Sequence, residues 1–454
     1  MREANVPTAG PTNGDRLYEL TRRTWVKIVL ASLLLGTLTR LMLSGVLPNV
    51  GMPGNVTNIG AMLFGFLVDH RPMAPTDLGV RTYGVVAFLL YDPAARMFGR
   101  DASRINLWGL GISVIALTLA FTLVAMRLNV RRPWSLAALA ILWSGFLPIV
   151  YGVAMRMFDV TVLATLAATF FFYAGPPLGR RWSGVAAAVG SLTKFLPLIF
   201  VPVLFIRDRR AFIYSLVTFA MLLLVGQIVY GPALGFGYPY YVGVPTAAAV
   251  DDPTAFISTW HENISPRALL FKVAGGFHLG NTNVTSENIP ALSFVANIIS
   301  LAALGYLLYV LWRYRHADGF ARRPIEFALG AATIFMVAPL ISEEHLSFMI
   351  IVYTILAWYW LRQHEPPAWP LVATAGASLL LTGVYVPTEA VNRVLQLDAI
   401  MGALGNQHSA IYQSPIGQYD FLGFPAYGAI LAWIVVVILE RRTRAAGAAT
   451  ISNA

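Results

Sequence analysis

The sequence predicts an all-α polytopic membrane protein with about 12 transmembrane helices, and with interfacial or re-entrant helices in its first outer loop. Three observations predict it. Hydrophobic residues make up 57% of the chain and charged residues 12%, with a mean hydropathy of +0.65. A water-soluble domain carries about 25% charged residues, so this chain lacks the polar surface to face water on all sides. The apolar residues recur in runs of the roughly 20 that a hydrocarbon core about 30 Å thick requires. The basic residues fall in short clusters between those runs, the pattern that encodes orientation in a bilayer. That dispersal also argues against reading the net charge of +10 as a nucleic-acid-binding face. The chain has no cysteine, which excludes disulfides, thiolate catalysis and cysteine metal sites.

Residues 1–22 read as a disordered cytoplasmic leader, 23–440 as one transmembrane domain and 441–454 as a disordered cytoplasmic tail. The first apolar run, 25–47, is long enough to remain as a span rather than be cleaved as a signal. Later spans are expected at 105–126, 134–152, 158–175, 211–231, 291–313, 324–341, 346–362, 368–386 and 419–440. Two segments need a decision. Tyr83 to Pro93 is short for a crossing and suits an interfacial or re-entrant helix. The run 182–206 is apolar except for Lys194 and Pro197 at its centre, so it is expected to form two half-spans that turn near Lys194.

Arginine placement supports both decisions. With them, both termini are cytoplasmic, and 21 of the 32 Lys and Arg fall on that side. They lie in the leader and in the turns holding Arg127, Arg131, Arg132, Arg180, Arg181, Arg207, Arg209, Arg210, Arg313, Arg315, Arg322, Arg323 and Arg362, and in the tail. A crossing at Tyr83–Pro93 would move Arg127–Arg132 and Arg180–Arg181 outside and break the positive-inside rule. The outer face then carries three sizeable loops, 48–104, 232–290 and 387–418, and loops of that length are commonly functional.

Ionisable residues that need explaining collect on that outer side. They are Asp69, Arg71, Asp77 and Arg81 in the first loop, and Asp159 after the 152–159 turn. Lys194 marks the half-span turn, the second loop offers His261, Glu262 and Asn263, and a late turn holds Ser342, Glu344 and His345. Arg and Lys can hold a phosphate, while carboxylates and amides can bind sugar hydroxyls or accept a proton from one. Simpler roles compete: the first-loop charges as solvated ion pairs, Lys194 as a snorkelling lysine, Asp159 as a helix N-terminal cap. No two of the seven histidines have ligand-like i, i+3 or i, i+4 spacing, so neither a metal nor another cofactor is expected.

Three stretches in order resemble one family. "SLTKFLPLIFVPVLFIRDRR" (191–210) looks like the lysine-proline segment of membrane glycosyltransferases with the GT-C fold, closest to family 87. "ENISPRALLFKV" (262–273) is similar to that family's Asn-x-Ser segment, and "APLISEEHLSFMIIVY" (338–353) to its Pro…Ser…His segment. "LPIVYGVAMRMFDVTVLATL" (147–166) sits where the family has a polar turn between spans. The resemblance implies a GT-C-like fold in the cell (inner or plasma) membrane and a site on the extracytoplasmic face. It also implies a metal-free, inverting transfer of mannose or another pentose or hexose. The donor would be a polyprenyl-phosphate sugar and the acceptor a glycolipid or envelope glycan. A first-loop aspartate would be the general base, Lys194, Arg71 or Arg81 would neutralise the phosphate, and His345 with Asn263 would help bind donor or acceptor. The family's usual aspartate falls near "GNVTNIGAML", where this chain has Asn55 and Asn58, so the role passes to Asp69 ahead of Asp77. The competing function is a transporter or flippase of a lipid-linked or anionic solute, which would carry ionisable residues along a path to both faces.

Overall fold

The computed structural model describes residues 83–99, 101–154, 158–241, 263–277, 288–315, 322–362, 368–383 and 422–452, with five single positions between 396 and 419. The expected span at 25–47 lies outside the described residues. The regular structure described is helical, apart from isolated bridge residues: Tyr83 paired antiparallel with Lys194, and Phe146.

Helix α1 (Val85–Phe98) leads through Gly99 into α2 (Ala102–Arg127), whose first turn is capped by the Asp101 carboxylate on the Arg104 N–H. Then come α3 (Pro133–Ser144), α4 (Leu147–Ala154) and α5 (Asp159–Tyr173). Next are α6 (Arg181–Ser191), a 3-10 turn at Leu196–Ile199, α7 (Phe200–Arg207) and α8 (Arg209–Val229). The chain continues with α9 (Pro266–Ala274), α10 (Asn288–Arg313), α11 (Arg322–Val337), a 3-10 turn at Glu343–Phe348 and α12 (Met349–Arg362). It closes with α13 (Trp369–Gly383) and α14 (Phe424–Ser452). Among the described residues five helices are long and apolar enough to cross a membrane: Ser103–Arg127, Arg209–Val229, Pro290–Arg313, Glu344–Arg362 and Phe424–Thr443. Shorter apolar helices occupy α3, α5, α13 and Leu196–Arg207.

Two expectations meet the geometry directly. The 182–206 run is broken as its lysine and proline suggested: α6 stops at Ser191, residues 192–195 are irregular, and Pro197 opens the next helical turn. Arg181, at the start of α6, lies over the Tyr214 ring of α8, while α7 ends at Arg207 beside the start of that same helix. The two half-spans therefore begin and end together, with Lys194 at the far turn. Helix α1 stays at the Lys194 end. Its Tyr83 bridges Lys194, its Phe88 ring meets Tyr230 at the C-terminal end of α8, and its last residue leads into α2.

A third expectation needs correction. The run 134–152 is two helices rather than one span, because Pro148 has no N–H for the Ser144 carbonyl and Gly145 closes α3.

Close packing needs small residues at two places on α6. A Cβ at Gly184 would stand 1.8 Å from the Ala211 carbonyl oxygen of α8, and one at Gly190 would stand 2.3 Å from Thr165 Oγ1 of α5. Below α6 the core is aromatic, with Phe200 stacked on Phe327 at 4.6 Å and Phe170 against Phe327 at 5.0 Å.

The arginine turns gather at one end of the bundle and close helix C-termini there. Arg127 donates to the Phe171 carbonyl, Arg323 to the Tyr173 carbonyl, Arg207 to the carbonyls of Tyr314 and Arg315, and Arg362 to the Asn129 carbonyl. Buried Glu326 ties them together through Arg207 Nε at 3.0 Å, Arg322 Nε at 2.8 Å and the Tyr173 hydroxyl at 3.1 Å. Replacing Gly184 with Val is expected to cost about 1–3 kcal/mol or more by forcing α6 off α8. Gly111→Ala, with open space around it on α2, is expected to be neutral or stabilising. Thermal unfolding in detergent compares the two; equal melting temperatures would refute the close approach.

Candidate active site

The site forms where four irregular segments meet at the end away from the arginines. The helical ladder ends at Lys194, whose N–H still reaches the Gly190 carbonyl. Pro197 has no N–H for the Thr193 carbonyl, which accepts instead from Gly84 in the antiparallel bridge that sets Tyr83 opposite Lys194. Its ammonium donates to both oxygens of Asp159, at 3.1 and 2.9 Å, and neither side chain is more than 3% exposed. Asp159 is the first residue of α5, where the helix N-terminus also favours a negative charge. Its recorded partners are Lys194 and His345, so Asp159 is an ion-pair partner rather than the simple helix cap that its position suggested.

Tyr83 covers this pair from the α1 side. Its ring lies 5.7 Å from the Lys194 ammonium and 4.8 Å from the Phe158 ring. Burial, reinforced by the carboxylates of Asp159 and Glu344, pushes its phenol well above the usual range, so it stays a neutral hydroxyl.

The third wall is the turn before α12. The Ser342 N–H donates to His345 Nδ1 at 2.8 Å, and the Ser342 hydroxyl donates to Glu344 Oε1 at 2.6 Å. Because Nδ1 accepts, the proton of the neutral ring resides on Nε2, which faces Asp159 Oδ1 at 3.5 Å. Glu344 and His345 are both buried.

Asn263 stands behind that turn. Its Nδ2 donates to the Pro339 carbonyl at 3.0 Å, and its Oδ1 accepts from the N–H groups of Ser265 and Ile341. Ile264 adds a backbone bond to the Ile341 carbonyl at 2.7 Å, and Ser265 caps α9 while donating to Pro339. The Asn263 amide is thus committed to backbone on both faces. Its geometry suits holding the Ser342–His345 turn in place more than touching a substrate, the role that the resemblance implied.

Asp159, Lys194, Ser342, Glu344 and His345 are brought together, with Asn263 one layer behind. Asp69, Arg71, Asp77, Arg81, His261 and Glu262 lie outside the described residues. Sequence reasoning missed Tyr83, which looked like the start of a short apolar segment. It also missed Lys272, a buried lysine whose ammonium reaches the Asn263 carbonyl at 2.8 Å. A lone lysine among the apolar residues of "PRALLFKVA" was the available signal.

Ligand-type atoms of Asp159, Glu344 and His345 lie within 4.8 Å of one another, a set able to hold a cation and one that sequence spacing did not reveal. Two features oppose such use. The Lys194 ammonium already neutralises Asp159, and the inward nitrogen of His345 carries the proton where a metal needs a lone pair.

The fold and site together define an all-helical membrane protein whose buried, ion-paired polar centre lies at one end of the bundle, opposite its arginine turns. The family model described as glycosyltransferase family 87 matches residues 82–343. The match covers more than half of the chain and spans Tyr83, Asp159, Lys194, Asn263 and Ser342, and the chain belongs to that family. Membership makes it a glycosyltransferase. Neither a curated protein nor a solved structure matches the chain.

Lys194→Met leaves the Asp159 carboxylate buried without its cation and is expected to destabilise the protein by about 3–5 kcal/mol. The double variant Lys194→Met, Asp159→Asn removes both charges and should recover most of that loss. Detergent unfolding of the three proteins checks it; a double variant no more stable than the single one would contradict the pairing.

Proposed function

We propose that the protein transfers a sugar, mannose or another pentose or hexose, from a polyprenyl-phosphate donor to a glycolipid or envelope-glycan acceptor, with inversion at the anomeric carbon. The observation that carries this reading is the convergence of Lys194, Asp159, Glu344 and His345 on one buried centre within and beside the matched family region. An aspartate of the first loop, Asp69 ahead of Asp77, takes the proton from the acceptor hydroxyl. The hydroxyl oxygen attacks the anomeric carbon, the bond from that carbon to the phosphate oxygen breaks, and the polyprenyl phosphate leaves with the electron pair. One base suffices, because the leaving phosphate is stable without protonation.

Charge arithmetic assigns further roles. The centre holds two carboxylates, Asp159 and Glu344, and one ammonium, Lys194, paired with Asp159, so these three groups carry a net negative charge with His345 neutral. A phosphate in contact with them needs more cations, and Arg71 and Arg81 are assigned to supply them, with the third Lys194 N–H assisting. The Nε2–H of His345 and the Tyr83 hydroxyl are donors suited to sugar or phosphate oxygens. His261, Glu262 and Ser342 complete the proposed binding set, with Asn263 holding the turn. No metal enters the reaction.

A flippase or transporter would need a polar route between the two ends. Between the Lys194 centre and the Glu326 cluster stands the aromatic core of Phe170, Phe200 and Phe327. That arrangement favours chemistry at one face.

By the positive-inside rule the arginine end is cytoplasmic and the Lys194 end extracytoplasmic, with the protein in the cell membrane. The cysteine-free chain makes this directly measurable. Tyr240→Cys, exposed just beyond α8, is expected to react with a membrane-impermeant thiol reagent on intact cells. Leu178→Cys, exposed between α5 and α6, is expected to react only after permeabilisation. The reverse labelling would invert the orientation.

Mass spectrometry of envelope glycolipids, with and without the protein, tests the reaction. Loss of the protein is expected to leave a product one sugar shorter. Asp69→Asn or Asp77→Asn is expected to lower transfer by about 10²-fold or more while the protein still inserts. Unchanged transfer in both single variants and in the double variant would dismiss a first-loop base.

A further inference from the structure

A second polar recess lies at the arginine end, a whole half-span away from Lys194. It has a volume of about 280 Å³ and is lined by Leu178, Arg181, Asp208, Arg210 and Tyr214. That is near the small end of ligand pockets, enough for a headgroup and too little for a lipid-linked sugar.

The sequence builds it at the point where α6 begins and α8 begins. Asp208 is extended and turns its carboxylate onto the N–H groups of Arg210 and Ala211, so its charge is used in capping α8. Arg181 lies against two rings, Trp182 at 5.7 Å and Tyr214 at 5.8 Å. No carboxylate ion pair is made by Arg181, Arg209 or Arg210 among the described residues, whereas Arg207 and Arg322 on the same end share Glu326. The rim is apolar and amphipathic: Leu178 is 82% exposed and Trp182 45%. An exposed tryptophan beside arginines is the composition of a membrane–water boundary.

We propose that this recess binds the headgroup of an anionic phospholipid, with Arg181 and Arg210 on the phosphate, Tyr214 beside it, and Leu178 and Trp182 against the start of the acyl chains. Guanidinium forks match a phosphate diester better than point charges do, and Arg181, resting against two rings, loses less freedom on binding than an unsupported side chain. Zwitterionic headgroups carry their own cation and compensate the arginines less well. The site is independent of the sugar-transfer reaction and of the Lys194 centre.

The test uses the full-length protein in detergent, titrated with phosphatidylglycerol or phosphatidylcholine of matched chains while native mass spectra count bound lipid. Wild type is expected to prefer phosphatidylglycerol by about tenfold or more. Arg181→Gln with Arg210→Gln should erase that preference and leave phosphatidylcholine binding unchanged. Arg313→Gln, an exposed arginine on the same end, should retain it. Four results would each overturn the proposal: equal binding of the two lipids by wild type, a preference that survives in the double variant, an equal loss in Arg313→Gln, or displacement of the lipid by millimolar inorganic phosphate. The last would make the recess a site for free anions.

Discussion

An ammonium and a carboxylate taken out of water persist only as a pair, and the pairing of Lys194 with Asp159 joins the turn of the half-spans to the first residue of α5. Desolvating either charge alone would cost several kcal/mol, so the turn cannot leave α5 without water or another ion taking its place. The rest of the centre follows from this joint. The irregular residues after Ser191 expose a backbone edge whose Thr193 and Leu192 carbonyls accept from Gly84 and Val86, and the bridge brings the start of α1 over the pair. Asp159 Oδ1, which accepts from Lys194 at 3.1 Å, also faces His345 Nε2 at 3.5 Å. Asn263 then fixes that histidine from behind by fastening Pro339 and Ile341.

The two ends of the bundle use charge in opposite ways. At the arginine end, guanidiniums sit on the carbonyls that close α5, α10 and the Arg127–Asn129 corner, and Glu326 offsets only part of their positive charge. Those side chains are spent on helix termini, where cations oppose the negative pole of the helix dipole. At the other end two buried carboxylates, Asp159 and Glu344, share the centre with one ammonium, Lys194, and the Nε2–H of His345 faces Asp159 rather than a backbone carbonyl. One end is tied down by its charges. The other pairs its buried charges between segments remote in sequence.

Much of this was legible in the sequence because lipid punishes exceptions. An apolar run tolerates a lysine only for cause, so Lys194 with Pro197 announced the break between α6 and α7. The arginine turns announced which ends share a side, since Arg181 and Arg207 meet at the base of the same helix as their placement required. Legibility failed where the deciding contact was remote in sequence. Nothing near Asp159 says that its partner is 35 residues away, and a carboxylate before an apolar run reads locally as a cap. Asn263 carried the family motif, yet its amide serves three backbone groups, two of them beyond residue 338. Tyr83 gave no signal, because a tyrosine at the edge of an apolar segment has no local oddity. Pro148 stands in the run 134–152, whose apolar length alone suits one span, yet the proline divides it into α3 and α4.

The same remoteness bears on whether the centre needs a metal. Histidine spacing excludes a set built on one helix and says nothing of a set assembled from α5 and the turn before α12. Once assembled, the trio of Asp159, Glu344 and His345 has the reach of a cation site. What argues against that use is protonation rather than distance. The Ser342 N–H holds Nδ1 as an acceptor, which places the ring proton toward Asp159, and Lys194 supplies the positive charge that a metal would bring. A lysine in this position delivers charge without the ligand exchange that a metal requires. It also offsets the Asp159 carboxylate, which lets that charge stay buried.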